Sequence, residues 1–310
     1  MTTSTPMAPA GTADPTAAGQ PAQQTGGDPP AREVVVGVDG SECALRAVRW
    51  ATREAARRNA PLRILHAASY LSRGGVGGPP PELARARQIT GQAYTVARHT
   101  DRGVRTSTEV APGDPVDTLL RAATSAQLVV LGSSTTGAAD ELVLAPVSAR
   151  LAARSPQPVV VVPRQRSGTA ARRPVVAVLG IGDADDDEAV ALFAVDAARS
   201  AGVPLSIIQT RPAERTQTAT WTDVPSEWAR REPDLEVHRI QLPRASAGDL
   251  LSAASPSPLV VLNAGHGDLL HRTLDGPHRW LLRHCTSPMA LVPPADRRQA
   301  GPREEDAAVG

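Results

Sequence analysis

The 310-residue sequence contains no lysine, and all 33 of its basic residues are arginine. That absence excludes any mechanism built on an amine side chain, such as a Walker-type phosphate lysine or a Schiff base. Aromatic residues make up only 2% of the chain, so a core must come from Val, Leu, Ile and Ala. The two cysteines, Cys43 and Cys285, are too few for a disulfide framework and show no metal-binding spacing. Neither sign of charge dominates: 33 basic residues face 32 acidic ones, a net charge of +1. A general nucleic-acid binder would need a basic stripe, so none is expected. No apolar run approaches the roughly 18 residues that span a bilayer, and the N-terminus lacks an Arg-led apolar segment. The expectation is a cytoplasmic protein with neither a membrane nor a nucleic acid as partner.

What is present suits a folded protein of about two domains, since 41% of the residues are hydrophobic. Residues 1–32 are rich in Thr, Ala, Pro, Gly and Gln and read as a disordered tail. Two patterned stretches, 33–165 and 173–295, read as domains joined by a linker at 166–172, and residues 296–310 read as a polar tail.

In the first stretch, short apolar runs alternate with helical periodicity. Glu33–Val38, Leu62–Ala67, Val104–Val110, Leu128–Gly132 and Pro158–Pro163 read as strands. Helices are expected from Ser41 or Glu42, over Glu82–His99, over Pro115–Thr124 and near Val147–Arg154. The alternation implies an α/β fold with a parallel sheet and helices on both faces. The second stretch repeats the pattern. Leu119–Ala123 matches Leu250–Ala254, and Leu128–Gly132 matches Leu259–Asn263, both at an offset of 131 residues. A fixed offset points to a duplication, so the expected architecture is two tandem five-stranded parallel sheets.

The run Val34-Val35-Val36-Gly37-Val38-Asp39-Gly40-Ser41 resembles the universal stress protein family. Gly113-Asp114-Pro115, Leu128–Ser134, Val147-Ser148 and Ser155–Val162 continue the resemblance over about 130 residues. The second stretch resembles the family mainly in its last third. The chain as a whole looks like a tandem member. The resemblance implies a flavodoxin-like strand order, 3-2-1-4-5, in each half. It also implies a pairing of the two halves through Pro158–Val162 and Pro288–Val292, in place of the dimer that single-domain members form. Some family members bind ATP and others do not.

In an open doubly wound sheet, ligands sit at the carboxyl ends of the strands, where the strand order reverses. That points to Val38, Asp39, Gly40 and Ser41 after the first strand and to Gly132, Ser133 and Gly137 after the fourth, and the resemblance to the family adds Ala67, Val147 and Ser148 as candidate site residues. Asp39 is suited to accept from an adenine or ribose group, and N–H groups after Gly132 are suited to cradle phosphate. Asp39 and Ser41 are equally suited to capping the first helix. The family's ATP motif is Gly, two residues, Gly, nine residues, then Gly with Ser or Thr. Here it falls on Gly132, Thr135, Ala145 and Pro146. Three of its four positions depart, which restricts positive φ and removes a hydroxyl and an N–H. In the second half the same positions are Asn263, His266, Gly276 and Pro277, and an acidic run from Asp183 to Glu188 replaces the Asp-Gly-Ser turn. That run lacks the spacing of a calcium loop, so no metal is assigned.

Four of the seven histidines fall late, at His266, His271, His278 and His284, with spacings that match no zinc pattern and read as solvated. No Gly-x-Ser-x-Gly elbow occurs, so a hydrolase triad has no nucleophile turn. Cys43 reads as a structural thiol. Trp221 and Trp228 read as apolar cover. The functional expectation is a non-enzymatic, cytoplasmic stress-response module with a partial nucleotide site in its first half, acting on an unknown protein partner. The alternative is a nucleotide sensor that binds ATP at Asp39, Gly132 and the Gly137 loop. Slow ATP hydrolysis would need a metal and a base that the sequence does not supply. A homodimer is compatible with either reading.

Overall fold

The computed structural model describes residues 32–68, 81–133, 147–164, 172–181, 184–210, 234–265, 274, 276–294 and 297–298. The N-terminal tail, the linker, the Gly137 loop, the Trp221–Trp228 region and the C-terminal tail lie largely or wholly outside these residues.

The first half runs β1 (Val34–Gly37), α1 (Glu42–Arg57), β2 (Leu62–Ala68), α2 (Pro81–Thr100), β3 (Thr106–Pro112), α3 (Pro115–Ala123), β4 (Leu128–Gly132), α4 (Val147–Arg154) and β5 (Val159–Val162). The second runs β6 (Val175–Leu179), α5 (Ala184–Ala201), β7 (Leu205–Gln209), β8 (Val237–Gln241), α6 (Ala247–Ala254), β9 (Val260–Asn263), α7 (Gly276–His284) and β10 (Met289–Val292).

Each half is a parallel sheet with order 3-2-1-4-5, and the two are fused edge to edge. The single sheet reads β3-β2-β1-β4-β5-β10-β9-β6-β7-β8. Its middle joint, β5 with β10, is its antiparallel pair, with Val160 opposite Ala290 and Met289 opposite Val161. Every residue of both joint strands is buried, as the runs Val-Val-Val-Val and Met-Ala-Leu-Val require.

Alternate strand residues feed the two faces. One core packs α1, α2 and α5 on the sheet; the other packs α3, α4, α6 and α7. Both cores contain residues of both halves. Few aromatics are needed because Ala-rich helix faces approach the sheet closely: on α1, Ala44, Leu45, Val48, Ala51 and Ala55 are all buried. No helix among the described residues is long and apolar enough to cross a membrane.

Candidate functional site

The strand order of the first half reverses between β1 and β4, and a cavity of about 130 Å³ opens at their carboxyl ends. Seven of the ten residues singled out from the sequence line it: Val38, Asp39 and Ser41 after β1, Ala67 on β2, Gly132 on β4, and Val147 and Ser148 on α4. The volume is below the roughly 300–1,000 Å³ of ordinary ligand pockets, which suits a compact ligand.

The turn after β1 is built by local hydrogen bonds. Gly40 takes φ +87°, a left-handed conformation that side chains resist. Asp39 Oδ1 accepts from Ser41 N at 2.9 Å. Ser41 adopts extended backbone and its Oγ accepts from Ala44 N at 3.1 Å, capping α1. Capping and lining the cavity are thus combined in one segment, and Asp39 remains exposed at the mouth.

Gly132 is held by packing. A Cβ there would lie 2.5 Å from the carbonyl carbon of Cys43 and 2.6 Å from its oxygen. The end of β4 touches the backbone of the first α1 turn, and only glycine permits this. Cys43 is half-buried in that turn. Gly40 and Ser133 do not line the cavity. Ser133 N donates to Val162 O at 2.9 Å, continuing the ladder toward β5, so this N–H is already used. Gly137, with Thr135, Ala145 and Pro146 of the motif, lies outside the described residues.

The sequence reading missed Gly37, Ala44, Leu65, His66, Pro115, Leu119 and Leu131, which complete the wall. His66 is buried, and its Nδ1 donates to Val38 O at 2.7 Å, tying β2 to the turn after β1. Its signal was its place beside Ala67 at the carboxyl end of a strand next to β1. Pro115 follows the cap Asp114, whose Oδ1 accepts from Val116 N at 2.8 Å and Asp117 N at 3.3 Å. Among the described residues, no arginine lines the cavity.

The second half holds a broader cavity at the matching place, about 600 Å³, lined by Ile181, Ser246, Leu250, His278 and Trp280 among others. Its turns are closed by acidic side chains. Gly180 N donates to both carboxylate oxygens of Asp187, at 2.9 and 3.0 Å. Ser246 and Asp249 form a reciprocal capping box on α6, whose two hydrogen bonds to Asp249 hold its carboxyl below the usual range. Asn263 stands where Gly132 stands in the first half, buried, its Oδ1 accepting from Gly265 N. His278 differs from the solvated expectation. It occupies the first turn of α7, 131 residues after Val147, and is 3% exposed because that face of the helix turns inward. His284 is exposed and stacks on Trp280 at 4.2 Å; His266 and His271 lie outside the described residues. Among the described residues, no group of three His, Cys, Asp or Glu is placed to hold a metal ion.

The description "Universal stress protein family" belongs to the family profile that matches residues 30–163. A universal stress protein of Mycobacterium tuberculosis is 30% identical over 274 residues, covering 76% of this chain and 86% of that protein. The chain belongs to the universal stress protein family. Another universal stress protein, of Mycolicibacterium smegmatis, is 29% identical over 286 residues, covering 84% of this chain and 97% of its own. Among solved structures, a universal stress protein from Archaeoglobus fulgidus has a TM-score of 0.69 at 14% identity, covering 86% of this chain and 98% of that one. At that identity the likeness speaks for the fold, and it extends across both halves of this universal stress protein.

Proposed function

We propose that this universal stress protein is a non-enzymatic, cytoplasmic regulatory module whose first half binds an adenine nucleotide and whose second half is a scaffold. The observation that carries the reading is the cavity between β1 and β4, where seven separately chosen residues meet at the sheet's switch point. On this reading Asp39, exposed at the mouth, accepts from a base or ribose, and the phosphate lies toward Val147 and Ser148 of α4. Binding is favoured over turnover because the cavity's polar groups are committed to structure. Asp39 holds Ser41 N, Ser41 holds Ala44 N, and His66 holds Val38 O. In the second half, the carboxylates of Asp187 and Asp249 occupy donors that an anion would use, which supports a scaffold role. On this reading a protein partner senses the liganded first half.

Calorimetric titration of the purified chain with AMP, and with ATP and Mg²⁺, tests the proposal, with Asp39→Ala in parallel. Micromolar binding of either nucleotide that the substitution removes is expected. No heat from any adenine compound up to millimolar concentration would retire the nucleotide site and leave protein contacts as the function.

A further inference from the structure

The cavity of the second half, about 600 Å³, lies within the range of ordinary small-molecule sites. Its wall is largely apolar. Leu250 comes from α6, Trp280 and Leu281 from α7, and Ile181 from the turn after β6. Four large apolar side chains stand exposed among the described residues, and two of them, Ile181 and Trp280, belong to this wall. Exposed apolar groups that gather at one opening, rather than scatter, mark a place where apolar surface is covered. The apolar lining also continues inward. Ile181, Leu250 and Leu281 border a second void of about 10 Å³, together with the buried Cys285 and Met289.

This wall is poorly suited to a charged ligand. Among the described residues, no arginine, aspartate or glutamate lines the cavity, so an ion of either sign would enter without a charged partner. Its polar side chains are the buried His278 and Ser246, and Ser246 is committed to Asp249. Ser246 N donates to Asp249 Oδ2 at 2.9 Å, Ser246 Oγ donates to the same oxygen at 2.7 Å, and Asp249 N donates to Ser246 Oγ at 3.2 Å. The carboxylate held beside Ser246 repels an anion in particular. Trp280, by contrast, offers a flat surface that is held in place. Its ring stacks on His284 with centroids 4.2 Å apart, and His284 Nδ1 donates to Trp280 O at 2.8 Å. A held indole beside aliphatic side chains suits a flat apolar ring, by stacking and by burial.

We propose that the second half binds a small uncharged ligand with a flat apolar ring in this cavity, independently of any nucleotide in the first half. The test is fluorescence titration of the full chain with N-phenyl-1-naphthylamine and with 8-anilinonaphthalene-1-sulfonate, which carries the same rings plus one sulfonate. The uncharged probe is expected to bind at micromolar concentration, about tenfold or more tighter than the sulfonate. Trp280→Ala should weaken it by on the order of tenfold, and Trp280→Phe, which keeps a ring, should restore most of the loss. Gly248→Leu approaches the same cavity from α6. A Cβ at Gly248 meets nothing nearer than Ser246 Oγ at 3.7 Å, so leucine is accommodated there and takes up part of the space. It should weaken the probe likewise, and a millimolar excess of AMP should leave the probe in place. Failure of the uncharged probe to bind, equal affinity for the sulfonate, or an affinity untouched by either Trp280→Ala or Gly248→Leu overturns the proposal. Displacement by AMP also overturns it, because the probe then sits in the first-half cavity. The calorimetric result with adenine nucleotides stands whichever way these titrations fall.

Discussion

Arg58 at the end of α1 reaches Asp196 on α5, with Nη1 2.9 Å from Oδ2, and so bridges the two halves above the sheet. The same guanidinium donates to Glu54 Oε1 at 2.7 Å and lies over the Phe193 ring, 5.3 Å from its centroid. The partners differ in burial: the Glu54 side chain is 5% exposed and that of Asp196 is 56% exposed. Removing the arginine leaves a buried carboxylate whose remaining cation among the described residues is Arg57, at 3.3 Å. Arg58→Ala should therefore cost about 2 kcal/mol, whereas Asp196→Ala should cost about 0.2–1 kcal/mol because that bond is screened by water. Urea midpoints of the two variants check the order. An equal loss in both would mean that the bridge, rather than the buried Glu54, sets the energy.

Gly132 lies against the backbone of Cys43 rather than against a movable side chain. Gly132→Ala must push β4 and α1 apart, and this should cost about 1–3 kcal/mol. It also narrows the cavity that both elements line. The expected result is a lowered melting temperature together with weakened nucleotide binding. An unchanged melting temperature would show that the first turn of α1 yields freely.

The strands and helices were readable because their signals are local. Continuous apolar runs gave β1, β4 and β5, and the 3-and-4 spacing of Ala44, Leu45, Val48, Ala51 and Ala55 gave the buried face of α1. Asp39, Gly132 and Ser148 were readable because motif positions and strand ends coincide at the switch point. His66 and Leu119 were not, because they reach the cavity only once β2 and α3 are folded against β1. His278 misled because spacing along a chain says nothing of which helix face turns inward. The use of Gly180 N by Asp187 was equally hidden: an acidic run at a helix start looks like a solvated face until one member folds back seven residues.

Cys285 is buried at the end of α7, with Ser255 Oγ at 3.9 Å and its thiol donating to Ser287 O at 3.4 Å. Burial pushes its pKa up, against the smaller opposing pull of those contacts. The folded state thus keeps the proton that the unfolded chain gives up near pH 8.5. Its contribution to stability is complete below that pH and is lost as the pH rises further, since the unfolded state then binds fewer protons. Urea midpoints of the native chain should fall between pH 8 and 10 more steeply than those of Cys285→Ala. Parallel slopes would mean that the thiol is accessible when folded. Thiol labelling of the native protein should correspondingly modify half-buried Cys43 well before Cys285.

The two cores each draw residues from both halves, and the fully buried pair Val160 and Ala290 sits at the joint between them. Separate domains would unfold separately; halves that share a sheet and both of its faces should not. Trp50 reports on α1 and Trp280 on α7. In two single-tryptophan backgrounds, with the other tryptophans replaced by Phe, both probes should give one urea midpoint. Val160→Asp places a carboxylate in the joint, where both faces are dry, and should lower both midpoints together by several kcal/mol of stability. A midpoint that moves at Trp50 alone would show that the second half folds without the first, and that β5 and β10 meet only after each half is complete.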